Sequence, residues 1–409
     1  MSAHSLRFVH ASDLHLETAL GGLRAIPDHL RDLLIEAPYA AAQRMFETAV
    51  LENVDFLLLA GDVLDARAAG PRAIAFLRDQ FEMLDQNGIA VYWIGGRSEM
   101  NGRWPETVAL PDGVHIFSSN RVEEVSHFRN DTPIATIAGQ SFDGRLDIRP
   151  GEFRGERGGP THIALAYGHC PEEGIADQQV TYWALGSEHN RRTVTKPPSA
   201  AHYCGATQGR SVREPGPHGC QLVTITGSGE VRGAFTPTDS VRWRIERLGV
   251  KDKATFDDLR ARMSERLTHV IGKEPGQTLL VRWVIEANES LARQLARPRD
   301  YNGLLDELRK EFGMGKSAAW SVEIEVTPPD EVAADRFNED TILGDFLRSA
   351  RQLQDDDRQP LAIQQLLGDD DLTQRCAEML AVREPDLRRR VLHEATLLGL
   401  DLLTGEDAA

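Results

Sequence analysis

Two apolar runs that each end in an acidic residue, with a helical pattern between them, constrain this chain more than any other feature. The first run, Phe8 and Val9 within RFVHASDLHL (7–16), reads as a short buried strand that stops at Asp13-Leu14-His15. Residues two apart on an extended segment point to the same side. Asp13 and His15 are therefore expected to aim a carboxylate and an imidazole at one point beyond the strand end. The second run, Val54 to Ala60 (VDFLLLA), has the continuous apolar character of a strand buried on both faces, and it ends in Gly61-Asp62-Val63-Leu64-Asp65. Between them Ala41, Met45, Phe46 and Val50 share one face of a helix predicted over Pro38 to Asn53. Strand, helix and strand with a ligand at each carboxyl end is where open α/β sheets place their sites. Oxygen and nitrogen donors of this kind suit manganese, iron or zinc.

The pattern continues downstream. Ile74, Leu77, Phe81 and Leu84 predict a helix over Pro71 to Asn87, stopped by Gly88. A strand predicted over Ile89 to Ile94 runs into Gly95-Gly96-Arg97-Ser98-Glu99. Shorter extended runs follow at Val114 to Phe117, Ile134 to Ala138 and Thr161 to Tyr167, the last entering Gly168-His169. Tyr182 to Leu185 precedes Gly186-Ser187-Glu188-His189, and Gln221 to Thr226 follows the turn-rich EPGPHG. GEFRGERGGP (151–160) is expected to be an exposed loop.

At 409 residues the chain is too long for one small core. The expected division is an α/β domain over 1–235, a β-α-β-α-β domain over 240–328, and a helical region over 329–409. The middle domain takes strands at Val241 to Leu248, Thr278 to Ala287 and Ala318 to Val326, with helices over Thr255 to Val270 and Glu289 to Phe312. Helices are predicted in the last region over Asp340 to Leu353, Leu372 to Leu380 and Glu384 to Leu403. A net charge of −17 argues against a surface coated by DNA, which needs clustered Lys and Arg, but leaves room for a local basic groove. Much of the acid falls late, in DEVAADRFNED and LLGDDD. The four cysteines, Cys170, Cys204, Cys220 and Cys376, have no CxxC spacing, which excludes a zinc knuckle or redox dithiol of that kind. No run of about twenty apolar residues exists to span a membrane, and MSAHSLRF lacks an apolar signal region, so a cytoplasmic protein is expected.

DLH followed by GDVLD resembles the calcineurin-like metallophosphoesterases, and HASDLHLE with LLLAGDVLD is similar to the branch that holds SbcD-type exonuclease subunits of DNA double-strand-break repair. RWPETVALPDGVHIFSS and HYCGATQGRSVREPGPHGCQLVTI carry the same similarity, with Cys204-Gly205-Ala206 where that branch has Pro-Gly-Ser. The resemblance implies a two-sheet sandwich flanked by helices, followed by a small α+β cap domain and a helical tail. It also implies a two-metal centre, with ions about 3.5 to 4 Å apart, most often manganese. One ion would take Asp13, His15, Asp62 and His189, and the other would take Asp62 and His169.

The chain departs from the family at two motifs. Where Gly-Asn-His and an acid are usual, it has Gly96, Arg97, Ser98 and Glu99; a second register sets Gly96 on the Asn and Arg97 on the His. In either register the metal-binding Asn and the catalytic His are missing. The first His of the last motif is replaced by Ser187. Arg97 either binds phosphate in the second ion's place or points to solvent, and Glu99 or Glu188 are the candidates to replace lost ligands. Asp65 reads as a loop or capping residue, His10 as packed within its strand, and the remaining histidines as surface or packed residues.

The resemblance thus implies an SbcD-like relative that hydrolyses DNA phosphodiester bonds with a divalent metal. The alternative is a degenerate pseudo-nuclease that serves as a scaffold for DNA or an ATPase. A third reading is a single-metal phosphoesterase for a small substrate. By their order along the chain, 240–328 would cap DNA and the helical tail would dock an SMC-like ATPase. Family members also dimerise through core helices.

Overall fold

The computed structural model describes residues 5–23, 26–101, 104–155, 159–250, 253–315, 317–327, 336–355 and 385–404. Its first sheet forms because the strands β1 (Leu6–Ala11), β2 (Phe56–Ala60) and β3 (Ala90–Ile94) are apolar at nearly every position. Alternate side chains point to opposite faces. On one face Val9, Leu57, Leu59 and Trp93 pack with Met45, Phe46, Leu77 and Phe81 of two helices, α1 (Asp28–Leu51) and α2 (Ala66–Gln86). On the other face Phe8, Phe56, Leu58 and Tyr92 meet Ile137, Ile163, Leu165 and Tyr182 of a second sheet. Both faces being covered is what the unbroken apolar run of β2 requires, and burying one side chain such as Phe56 contributes about 1.5–3 kcal/mol.

The helix α3 (Arg97–Asn101) follows β3 directly, and β4 (Val114–Ile116) completes the parallel side of the first sheet. The second sheet is built from β5 (Glu123–Arg129), β6 (Thr132–Gly139), β7 (Thr161–Tyr167), β8 (Tyr182–Gly186), β9 (Arg192–Thr195) and β10 (Ala200–Tyr203), in the order β5-β6-β7-β8-β10-β9. The chain then returns to the first sheet with β11 (Gly219–Ile225) and β12 (Val231–Pro237), giving the order β12-β11-β1-β2-β3-β4. Strand β11 runs antiparallel to β1, whereas β1, β2, β3 and β4 are parallel. The outer face of the second sheet is covered by its own cluster, Ala164, Trp183, Leu185 and Tyr203 with Phe153 and Ile175. The architecture is the α/β sandwich of two sheets with flanking helices that the sequence led us to expect.

Several boundaries differ for identifiable reasons. Helix α1 begins at Asp28, not Pro38, because Leu30, Leu34 and Ala37 extend the same buried face upstream, and Pro38 lies inside it. Helix α2 begins at Ala66, capped by Asp65, whose side chain accepts from the N–H groups of Arg67 and Ala68. It bends at Gly70, whose φ of 69° precedes Pro71. Strands β5, β9, β10 and β12 were not anticipated. Strand β5 alternates half-buried and exposed positions, and β12 is mostly exposed or half-buried, so both lack an apolar run. In the expected loop 151–160, residues 150–153 form a 3-10 turn that buries Phe153, while 156–158 lie outside the described residues.

Contacts divide the chain into two compact units, Met1–Arg244 with Gly276–Leu280, and Ile245–Pro275 with Val281–Ala409. The strands β13 (Val241–Gly249), β14 (Thr278–Glu286) and β15 (Ala319–Thr327) pair in that order. Helix α4 (Phe256–Lys273) starts at a capping box between Thr255 and Asp258. The single helix expected over Glu289 to Phe312 is two, α5 (Glu289–Ala296) and α6 (Pro298–Phe312), because Pro298 has no N–H to continue the first. Helices α7 (Ile342–Asp355) and α8 (Pro385–Thr404) follow, while the helix predicted over Leu372 to Leu380 lies outside the described residues. Among the described residues no helix is long and apolar enough to cross a membrane.

Candidate metal centre

The carboxyl ends of β1, β2 and β8 bring four of the expected ligands together, though not by the extended geometry anticipated. Strand β1 ends at Ala11, and Asp13 and His15 adopt left-handed backbone, with φ of 53° and 46°. Asp62 and Ser187 are left-handed too, at 52° and 99°. Such conformations cost on the order of 1–3 kcal/mol each for non-glycine residues. They are held by the neighbouring strand end: Asp13 N–H donates to Gly61 O at 2.9 Å, His15 N–H to Asp62 O at 3.0 Å, and Leu16 N–H to Val63 O at 3.2 Å.

The ligand atoms of Asp13, His15 and His189 all lie within 4.8 Å of one another. Asp13 Oδ1 is 3.9 Å from His15 Nε2 and 3.7 Å from His189 Nε2, and Asp62 Oδ2 is 3.8 Å from His15 Nε2. Asp13 is only 1% exposed. Its Oδ1, like His15 Nε2, is buried without a hydrogen-bond partner among the described residues. Burial raises the Asp13 carboxyl above its ordinary value and the Asp62 charge adds to this, while His189 opposes it. Two unsatisfied donors of lone pairs facing one point are costly unless a cation sits there, so the residues fit a divalent ion.

Each imidazole is set by a carboxylate that the sequence did not single out. His15 Nδ1 meets Glu17 Oε1 at 3.1 Å, and Glu17 Oε2 accepts from Asp65 N–H at 3.1 Å. His189 Nδ1 meets Glu214 Oε1 at 2.8 Å, and Glu214 Oε2 accepts from Arg210 N–H at 2.7 Å. With Nδ1–H given to a carboxylate, Nε2 keeps its lone pair for the metal. Arg210 Nη2 lies 2.9 Å from His189 Nδ1 and 3.3 Å from Nε2, which brings a fixed positive charge to the rim.

Asp62 is engaged on both oxygens. Oδ1 accepts from Ser98 N–H at 2.7 Å, and Oδ2 accepts from the Tyr167 hydroxyl at 2.6 Å. Glu99, a candidate replacement ligand, is turned to another task. Its buried carboxyl group accepts from the N–H groups of Asp62, Val63, Leu64 and Gly96 at 2.7–3.2 Å, which fastens the end of β2 to the end of β3. Burial, then the Asp62 charge, pushes this carboxyl up to about 8, against the pull of its backbone donors. Glu188 is paired with Arg192, whose Nε donates to it at 2.7 Å.

The structure does not bring His169 into this group. Strand β7 ends at Tyr167, the chain turns at Gly168, and His169 is exposed, with its N–H donating to Leu146 O at 2.6 Å. Tyr167 holds the strand-end position, and the signal that identifies it is the apolar run THIALAY itself, which stops at the tyrosine. Arg97 is exposed at the start of α3. Ser98 Oγ is 3.4 Å from His15 Nδ1, and Ser187 N–H donates to Asp13 Oδ2 at 3.2 Å.

Comparison with known proteins shows the family of the chain. The family model of the calcineurin-like phosphoesterases matches residues 6–202. A relative in Bacillus subtilis (strain 168), the uncharacterized metallophosphoesterase YhaO, is 31% identical over 296 residues, spanning 69% of this chain and 72% of the relative.

Proposed function

The chain belongs to the calcineurin-like phosphoesterase family, and from that premise we propose that it hydrolyses DNA phosphodiester bonds with manganese at the centre described above. One observation carries the hydrolytic reading: the buried, unpartnered Asp13 Oδ1 and His15 Nε2 converge with His189 on one point. Asp13, His15, Asp62 and His189 would hold the ion, which supplies an acidified water and polarises a phosphoryl oxygen. Glu17 and Glu214 hold the two imidazoles in the tautomer that binds metal. Arg210 offers a planar cation for a phosphate oxygen beside His189.

The choice of DNA rests on the segments that resemble SbcD-type subunits, among them the stretch that contains Arg210 and Glu214. An SMC-like ATPase docked on residues 329–409, a homodimer and a cytoplasmic setting belong to the same reading. A second reading is favoured by one feature. Where the family places an Asn and a catalytic His, Arg97 is exposed and Ser98 spends its N–H on Asp62, which suits a degenerate scaffold that binds DNA or an ATPase without cutting. The deciding experiment is manganese-dependent cleavage of linear duplex DNA, with Asp62→Asn as control. Cleavage that the control abolishes supports the nuclease. Bound metal without cleavage supports the scaffold.

A further inference from the structure

We propose that Tyr167 takes the place of a second metal, so that the centre of this chain holds a single divalent ion. The proposal rests on the metal-centre reading above and concerns how many ions that centre admits. A carboxylate that bridges two ions must offer them lone pairs on both sides. Asp62 already gives away one lone pair on each oxygen: Ser98 N–H takes one on Oδ1 at 2.7 Å and the Tyr167 hydroxyl takes one on Oδ2 at 2.6 Å, which leaves Oδ2 a single lone pair for the ion beside His15 Nε2, 3.8 Å away. The wall behind it is closed as well. A Cβ on Gly96 would fall 2.6 Å from Asp62 Oδ1 and 2.7 Å from Tyr167 Cε2, and one on Gly61 would fall 2.6 Å from Tyr167 Cδ2. The tyrosine ring is therefore packed against the two glycines that flank Asp62.

The two sides of Asp62 differ in their chemistry. On one side Asp13 Oδ1 and His15 Nε2 lack partners and His189 Nε2 lies 3.7 Å from Asp13 Oδ1. On the other lone pair of Asp62 Oδ2 stands the Tyr167 phenol, which donates a hydrogen bond to it. A neutral phenol and serine hydroxyls are poor partners for a divalent cation compared with carboxylate and imidazole. The hydroxyl thus does for Asp62 what a second cation would do: it places a positive hydrogen against the carboxylate oxygen. Tyr167 acts through Asp62 and is a positioning residue.

Manganese bound to the full chain can be counted by titration calorimetry, with electron paramagnetic resonance to separate lone from coupled ions. The wild type is expected to bind one equivalent and to give the spectrum of an isolated ion. Two variants isolate the tyrosine. Arg97→Asn/Ser187→His restores donors but keeps Tyr167, and it is expected to stay at one equivalent. Adding Tyr167→His to that pair is expected to admit a second ion and to produce an exchange-coupled spectrum. Two coupled ions in the wild type, or in the variant that keeps Tyr167, would overturn the proposal while leaving the metal-centre reading intact. A triple variant that unfolds at the wild-type temperature yet holds one ion would also overturn it. No bound ion in the wild type would remove the metal-centre reading itself, and the proposal with it.

Discussion

Glu214 Oε1 lies 2.8 Å from His189 Nδ1, and that contact decides which ring nitrogen faces the metal position. The two residues are twenty-five positions apart in sequence, His189 between β8 and β9 and Glu214 between β10 and β11.

Replacing Glu214 with Gln keeps the volume but weakens the acceptor that orients the ring. Loss of such a partner lowers metal affinity by about 10–100-fold in metal sites of this kind. We expect that range for manganese in Glu214→Gln, read by calorimetry. An unchanged affinity would mean that the His189 tautomer is set by something else.

The same pair gives the metal-free protein a pH dependence with a definite sign. Burial would raise the Glu214 carboxyl, but hydrogen bonds from His189 and Arg210 outweigh it and take it to about 2, below its ordinary 4.5. Burial would lower His189, but the Glu214 hydrogen bond and the Asp13 charge outweigh it and take it above its ordinary 6.5. The Glu214 contribution to stability is therefore present above pH 4.5 and lost as pH falls toward about 2. The His189 contribution is full below pH 6.5 and lost as pH rises through its raised value. Urea unfolding of chelator-treated protein is expected to show both contributions between pH 4.5 and 6.5, with Glu214→Gln flattening the profile. Metal binding runs the other way and weakens as pH falls, because His189 must lose its proton to ligate.

Glu99→Gln replaces one oxygen of a carboxyl group that four backbone N–H groups share. The amide nitrogen cannot accept, and each carboxyl oxygen serves two of the donors, so two buried donors are stranded, at about 1–3 kcal/mol each. We expect a loss of about 2–6 kcal/mol in chemical denaturation, together with weaker manganese binding, since two of those donors belong to Asp62 and Val63.

Gly96→Ala tests the close packing around Asp62. The new Cβ would meet Asp62 N and Oδ1 at 2.6 Å, and backbone cannot move aside as a flexible side chain can. Overpacking of this kind costs about 1–3 kcal/mol. Metal affinity should fall with it, whereas Gly88→Ala, which meets nothing within 4 Å but has a φ of 70°, should cost stability and spare the metal.

Arg210→Ala separates anion binding from metal binding. The variant should bind duplex DNA more weakly at fixed manganese, with a shallower salt dependence. Its metal stoichiometry should not change.

Much of this protein is readable from its sequence because strand ends are local features. The apolar runs of β1, β2, β3, β7 and β8 announce sheets covered on both faces, and Asp13, His15, Asp62 and His189 each follow such a run or its turn. The half-exposed strands escape notice because their burial is decided by the partner strand, as in the pairing of β5 with β6. The roles of Glu17, Glu99, Glu214 and Tyr167 could be decided only in three dimensions. Each is defined by a hydrogen bond to an atom its local sequence does not specify: His15 Nδ1 for Glu17, the backbone of β2's end for Glu99, His189 Nδ1 for Glu214 and Asp62 Oδ2 for Tyr167. Sequence spacing fixes which residues stand at a strand end. Which lone pair each one meets depends on left-handed turns at Asp13, His15 and Asp62 that only the packed sheets can hold in place.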